Sequence, residues 1–453
     1  MNFKKSRIYL ATVVALSVGF ASCSKKDNND EFVKPKGDGV LSGVISSKRV
    51  LSADTVYTLK GYVRVMNGGA LEIPAGTVIK GDKSSKAALI IERTGTIKAN
   101  GTATKPIIFT SDRAAGERNI GDWAGVIICG KSTVNTADGT AQYEGGILGT
   151  DVAVYGGTEP THSSGEFTYV RIEYAGYPIE TDKEINGLTL CGVGSGTKIN
   201  HIQVSYCGDD SFEFFGGTVN ATHLVAYRGV DDDFDFDQSF NGKIQYGISI
   251  RDPKISDAAG TSRGVELENK GTVTGDKYSR PVLSNFTFIG PGLGEGIQVN
   301  KHGAGIHIGQ NSRIVLANSI IVGAKTNAVE VNTEWTAKEL KDGRSSFTNN
   351  LVFGYGANYG LIGVTSFADV AAFTTFATAA GNSVLTGVDA AGINNTNIDA
   401  PNLTLKSTSL AKGKAKFEGD LASGFEKVTF AGAMDATDWT AGWVSWTPQA
   451  NVY

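Results

Sequence analysis

Proline is scarce in this chain, 10 residues in 453. A proline inside a paired strand removes a ladder donor, so its scarcity fits a sheet whose strands are paired on both edges. Long apolar runs are missing beyond the N-terminus. No later stretch reaches the roughly 18 apolar residues a membrane-crossing helix needs, which excludes a polytopic helical membrane protein. Cationic charge is also thin: 42 Lys and Arg stand against 46 Asp and Glu, a balance that argues against a nucleic-acid partner. Histidine is rare. His162, His201, His223, His302 and His307 fall into no zinc-ligand spacing supported by other ligands. Cysteine numbers only 4, too few for a disulfide scaffold.

What is abundant is glycine, 58 residues, and hence turns. Residues 1–22 are set apart from the fold. Lys4, Lys5 and Arg7 precede an apolar core, Ile8 to Phe20, too short to span as a permanent helix, and small residues lead to Cys23. This segment resembles a bacterial lipoprotein signal, which implies lipidation at Cys23 and a membrane partner reached through that lipid. Phe20 departs from the leucine commoner three places before such a cysteine. Losing the three leader cations moves the formal charge from −4 to −7. The polar tether that follows, Ser24 to Glu31, resembles the surface-export signal of Bacteroidota lipoproteins. That resemblance implies the outer leaflet of the outer membrane. Cys129, Cys191 and Cys207 remain, an odd number. The matching contexts of Cys129 and Cys191 predict equivalent buried places in two coils, with a disulfide left open.

The chain repeats itself. Between Ile199 and Gln238, a shift of twenty-two positions lays Asp209, Asp210, Phe212, Glu213 and Phe214 on Asp231, Asp232, Phe234, Asp235 and Phe236. Short alternating runs at this period, separated by Gly, Asn and Asp, suit one coil of a solenoid with stacked parallel strands. The phenylalanines are expected to point inward and the acids between them outward. Steps of thirty-two residues join Gly264-Val-Glu-Leu to Gly296-Ile-Gln-Val and Ala328-Val-Glu-Val. They predict one outward column of Thr189, Glu213, Asp235, Glu266, Gln298 and Glu330. Its neighbour is Cys191, Phe215, Asp237, Glu268, Asn300 and Asn332. Asparagines at 200, 285, 318 and 349 or 350 are expected at a coil corner, satisfying turn backbone groups.

The resulting expectation is all-β: a single-stranded right-handed parallel β-helix over 41–360, after a lipidated tether at 23–40. Residues 131–166 form an excursion from the coil. In 361–453, Phe367, Val370, Ala371, Phe373 and Phe376 make a helical stripe that covers the open end. Trp439, Trp443 and Trp446 then read as a cap on the last coil, in preference to a sugar platform. KPIIFTS, DWAGVIICG, YVRIEYAG, GDDSFEFFGGTVN, DDDFDFD and AGAMDATDWTAGW together resemble the right-handed parallel β-helix lipoproteins of Bacteroidota, similar in fold to pectate lyases. The resemblance spans nearly the whole mature chain and implies architecture more than activity.

The chemistry rests on acids. Asp231, Asp233, Asp235 and Asp237 alternate and are expected on one strand face about 6.6 Å apart. Glu213 lies one coil below, Glu266 and Glu268 one coil above. Seven carboxylates so close repel unless a cation, a basic side chain or a raised pKa intervenes. A dense all-oxygen cluster suits Ca²⁺, which accepts six to eight hard ligands. A solvated face offset by Lys243, Lys270 and Arg228 is the alternative. A non-catalytic, monomeric module, either glycan-binding with extracellular polysaccharide as its partner or structural and adhesive, is the first functional expectation. A polysaccharide lyase or glycoside hydrolase is the second, with Glu213, Asp235 and Arg228 as catalytic candidates. Its motifs are incomplete. Ser256 replaces the second arginine of the lyase pattern begun by Arg251-Asp-Pro253; of the hydrolase pieces, Gly208-Asp-Asp210 and His302-Gly303 stand far apart in the chain and Arg313-Ile-Val315 lacks the required lysine.

Overall fold

A computed structural model describes residues 39–180, 183–269, 275–293 and 301–453. The leader, Cys23 and most of the tether lie outside the described residues, as do Lys270, Gln298 and Asn300. No helix among the described residues is long and apolar enough to cross a membrane.

Strands only two to ten residues long cannot bury a core alone. They do so by stacking. The chain winds as a right-handed parallel β-helix in which twenty-seven described strands join one continuous sheet. Each coil contributes to three faces. Strand Val56–Val65 shows how a corner is turned: residues 56–59 pair with Val78–Gly81, whereas 62–65 pair with Ala88–Ile91 on the next face. Gly61 sits between the halves at φ 59°, a conformation that is cheap for glycine alone. The wound sheet begins at Val40 and still includes Ser383–Val384, paired with Leu351–Val352, so it runs past the boundary expected at 360.

Inside the winding, Phe212 stacks on Phe234 with centroids 5.2 Å apart, and Phe214 on Phe236 at 4.8 Å. All four are fully buried, as the alternating pattern requires. The buried cysteines 129 and 191 are register partners, and both are free thiols.

The asparagine corner holds in part. Asn285, Asn318 and Asn349 adopt left-handed backbone (φ 54° to 59°) at successive corners. Asn200 does not belong to this column: it pairs with Thr222 within its strand, and His201 takes the corner. Earlier coils therefore fill the column with Tyr169, His201, His223 and Tyr246, an aromatic stack with steps of 4.1, 4.1 and 4.8 Å. A second ladder lies one residue inward. Asn350 accepts from Ser319 N at 2.8 Å and donates to Leu316 O at 3.0 Å, while Asn382 accepts from Asn350 N.

Helix α1 (Glu334–Lys341), capped by Thr333, interrupts a late coil and was not anticipated. At eight residues, with only Ala337 and Leu340 as its buried apolar residues, it carries little periodic signal. Helix α2 (Val370–Ala379) covers the end of the solenoid through Phe373 and Ala377, with Phe367 beside them. Val370 and Ala371 face solvent instead of sharing that stripe.

The tryptophan segment corrects the expected cap. It does not sit on the last coil but runs back along the outside of the solenoid as a strap. Asn318 holds Lys416, Gln245 holds Glu426, and Gln203 holds Ser445, each side-chain amide pairing with strap backbone. At the terminus, Tyr453 reaches Lys80 and Arg171. Trp443 is fully buried against Tyr169 and His201. The strap follows a column of polar side chains, not the open end, because those amides are the donors and acceptors that an irregular backbone needs.

Candidate functional site

The acidic face is built by register. Thr189, Glu213, Asp235 and Glu266 are partners in successive parallel strands. The next member is His307, followed by Glu330. His307 thus stands where Gln298 was expected. The true steps are forty-one and twenty-three residues, which together equal two steps of thirty-two, so Glu330 falls in register under either reading.

These acids point away from the hollow yet are buried. Glu213 is 5% and Asp235 4% exposed. Their cover includes the excursion, whose hairpin strands Thr140–Gln142 and Val154–Gly156 flank Tyr143 and Tyr155 packed on Phe215. Asn186 fastens the site, donating its side-chain amide to Glu213 and accepting from Asp210 N at 3.2 Å.

Asp210, Glu213 and Asp235 bring a carboxylate oxygen each to within 4.8 Å of one another, and all three are buried. Asp209, Asp210 and Asp231 form a second such group, and Glu266, Glu268 and His307 a third. Asp209 and Asp210 were not among the predicted ligands. The signal for them was present in the twenty-two-residue repeat, which already places the two Asp pairs one above the other. Asp210 Oδ1 accepts from Asp232 N at 2.8 Å.

The four odd-numbered aspartates do not share one strand face. Strand Phe234–Asp237 starts only after the chain has bent, so Asp233 turns aside to Arg251 (3.0 Å) and Ser249. Asp237 remains in the column beside Phe215 and accepts from Gln238 N. Glu268 lies 3.8 Å from His307 Nε2.

The cations beside these acids also differ from expectation. Arg263 approaches Asp232 (3.8 Å) and pairs with Glu266, and Arg251 pairs with Asp233. Lys243 instead donates to strap carbonyls of Asp420 and Ser423. Arg228 is committed to Asp252 (3.0 Å) and Asp399, over the rings of Tyr206 and Tyr227. It is therefore not gathered with Glu213 and Asp235 as a base. Arg251 pins the backbone carbonyls of Val230, Asp231 and Arg263, a structural role. His302 contacts Asp252 O, and Arg313 pairs with Asp276 and Glu339, so the hydrolase-like pieces serve separate contacts.

Burial drives the electrostatics. It pushes Asp210 well above the usual carboxylate range, with Asp209, Asp235, Asp231 and Asp232 adding to the rise. Asp232 rises through burial and then through Asp231 and Glu266, with Arg263 opposing. Asp231 is pushed up to about 6 by burial first and then Asp257, against the pull of Arg251. Thr189 Oγ1, fully buried next to Glu213 in the column, has no hydrogen-bond partner among the described residues. A crowded, all-oxygen donor set with an orphan hydroxyl beside it fits a hard divalent cation.

One comparison bears on architecture. A family model described as "Pectate-lyase like beta helix domain" matches residues 43–444. No curated protein and no solved structure matches the chain. With nearly all of its wound sheet inside that match, the chain belongs to the pectate-lyase-like β-helix family.

Proposed function

We propose that this protein is a lipid-anchored module of the outer membrane, facing the medium, that binds calcium in its acidic column and engages extracellular polysaccharide without turning it over. One observation carries the reading: Asp210, Glu213 and Asp235 converge within 4.8 Å while buried. Buried like charges at that spacing need neutralisation, and Ca²⁺ supplies it through six to eight oxygens in loose geometry. Thr189 and water would complete the shell. The anchor is supported by the basic, apolar and small-residue order leading to Cys23. Polysaccharide is supported by the long stack of parallel strands, whose repeating side chains suit a repeating ligand. Calcium titration of chelator-treated protein, followed by retention on a polysaccharide panel with and without calcium, tests both parts. Retention that ignores calcium would separate the glycan from the ion.

Asp231 favours a second reading, a lyase or hydrolase on the same face. It is partly exposed and titrates near 6, where a general acid works best. Reducing ends released by the wild type but not by Asp231→Asn would establish it.

A further inference from the structure

The strap does more than cover the corner column. Between it and the solenoid lies a cleft of about 410 Å³, lined by His223, Tyr246, Glu426, Phe430, Asp435 and Trp439 among others. This volume lies in the range of small-molecule sites. It is remote in kind from the acidic column, being walled by rings.

The ring geometry is preformed. Trp439 stands at 87° to His223 with centroids 4.8 Å apart, and His223 is tilted 39° from Tyr246 at the same distance. Each ring is held by a hydrogen bond. Trp439 Nε1 donates to Ala433 O at 2.7 Å, and Tyr246 OH donates to Glu426 Oε2 at 3.0 Å. Glu426 is clamped again through its backbone, whose N–H and carbonyl both bond the Gln245 amide at 2.8 Å. The charges are one-sided. Two carboxylates line the cleft and no lysine or arginine does. Lys412 reaches Asp435 from outside the lining, which leaves Glu426 as the carboxylate without a cationic partner among the described ion pairs. His223 adds no positive charge near neutrality, since burial and His201 hold it down to about 3.

Trp439 and Tyr246 lining one cleft, with a fixed carboxylate and no lysine or arginine beside them, form surroundings that attract an organic cation. The ring quadrupoles stabilise the positive charge, and the carboxylate completes the neutralisation. We infer that this cleft is a binding site for a small organic cation, an amine or N-methylated ammonium group, recognised by Trp439, Tyr246 and Glu426. The site is independent of calcium and of the acidic face.

Calorimetric titration of the whole protein with choline tests this, set against 3,3-dimethylbutanol, its uncharged isostere, and a neutral monosaccharide. Saturable choline binding is expected, with no heat from the other two. Glu426→Gln, which keeps the shape and an acceptor for Tyr246, should weaken choline about tenfold. Trp439→Phe should weaken it less and Trp439→Ala more, with unchanged circular dichroism confirming that the strap is seated. Equal binding of choline and its isostere would overturn the inference, as would binding of the sugar alone, no binding at all, or choline affinity indifferent to Glu426→Gln.

Discussion

Glu213 and Asp235 face each other across adjacent parallel strands, both nearly buried and both on the outer side of the sheet. Two carboxylates in that relationship repel each other and invite a cation. Neutralising one of them separates the two effects. Asp235→Asn is expected to raise the stability of calcium-free protein by up to about 1 kcal/mol. It should also remove most of the stabilisation that calcium gives wild type, about 2.7 kcal/mol at a hundredfold excess over Kd. Urea unfolding with and without calcium measures both.

The pH dependence of the calcium-free protein follows from Asp231. Its folded pKa of about 6 lies above the ordinary value near 4. The folded state therefore binds the proton more tightly than the unfolded state, and stability falls as pH rises from about 4 through 6. Asp210 and Asp232, raised for the same reason, act in the same direction. In chelator, the melting temperature of wild type relative to Asp231→Asn should decline across that window, and saturating calcium should flatten that difference.

At the strap the sign reverses. Burial holds His201 down to about 4 and His223 to about 3, against an unfolded value near 6.5. Their contribution is complete above 6.5 and is lost as pH falls through 4. Trp439 and Trp443 lie edge-on to these rings, so tryptophan fluorescence should report loosening in acid. His223→Gln should reduce the acid sensitivity.

Asn350 tests the inner ladder. Replacing it with alanine strips Ser319 N and Leu316 O of their partners in a buried corner. A loss of about 3 kcal/mol is expected by equilibrium unfolding. Asn349→Ala, at the left-handed outer position, should cost less through contacts and more through backbone strain.

The winding itself was legible because stacked strands repeat their chemistry: Phe212 and Glu213 predict Phe234 and Asp235 without any knowledge of the turns between. Legibility ended where insertions change the step. Gln298 and His307 each sit in an alternating Ile-x-Val/Ile run, and only the hydrogen-bonded ladder distinguishes them. The bend before Phe234 was hidden for a similar reason, since Asp233 follows the alternation but leaves the strand to meet Arg251. Long-range ion pairs have no periodic signature. That is why Arg251, paired with the distant Asp233, balances the acids in place of Lys243 and Arg228, with Arg263 added through its neighbour Glu266. The strap was invisible too, because its attachments pair distant side-chain amides with irregular backbone.

The most direct measurement is a calorimetric calcium titration of chelator-treated protein near pH 7, repeated on Asp235→Asn. The account predicts saturable binding and a raised melting temperature in wild type, with both lost in the variant. A wild-type melting temperature unmoved by calcium and by chelator, with no heat of binding, would contradict it.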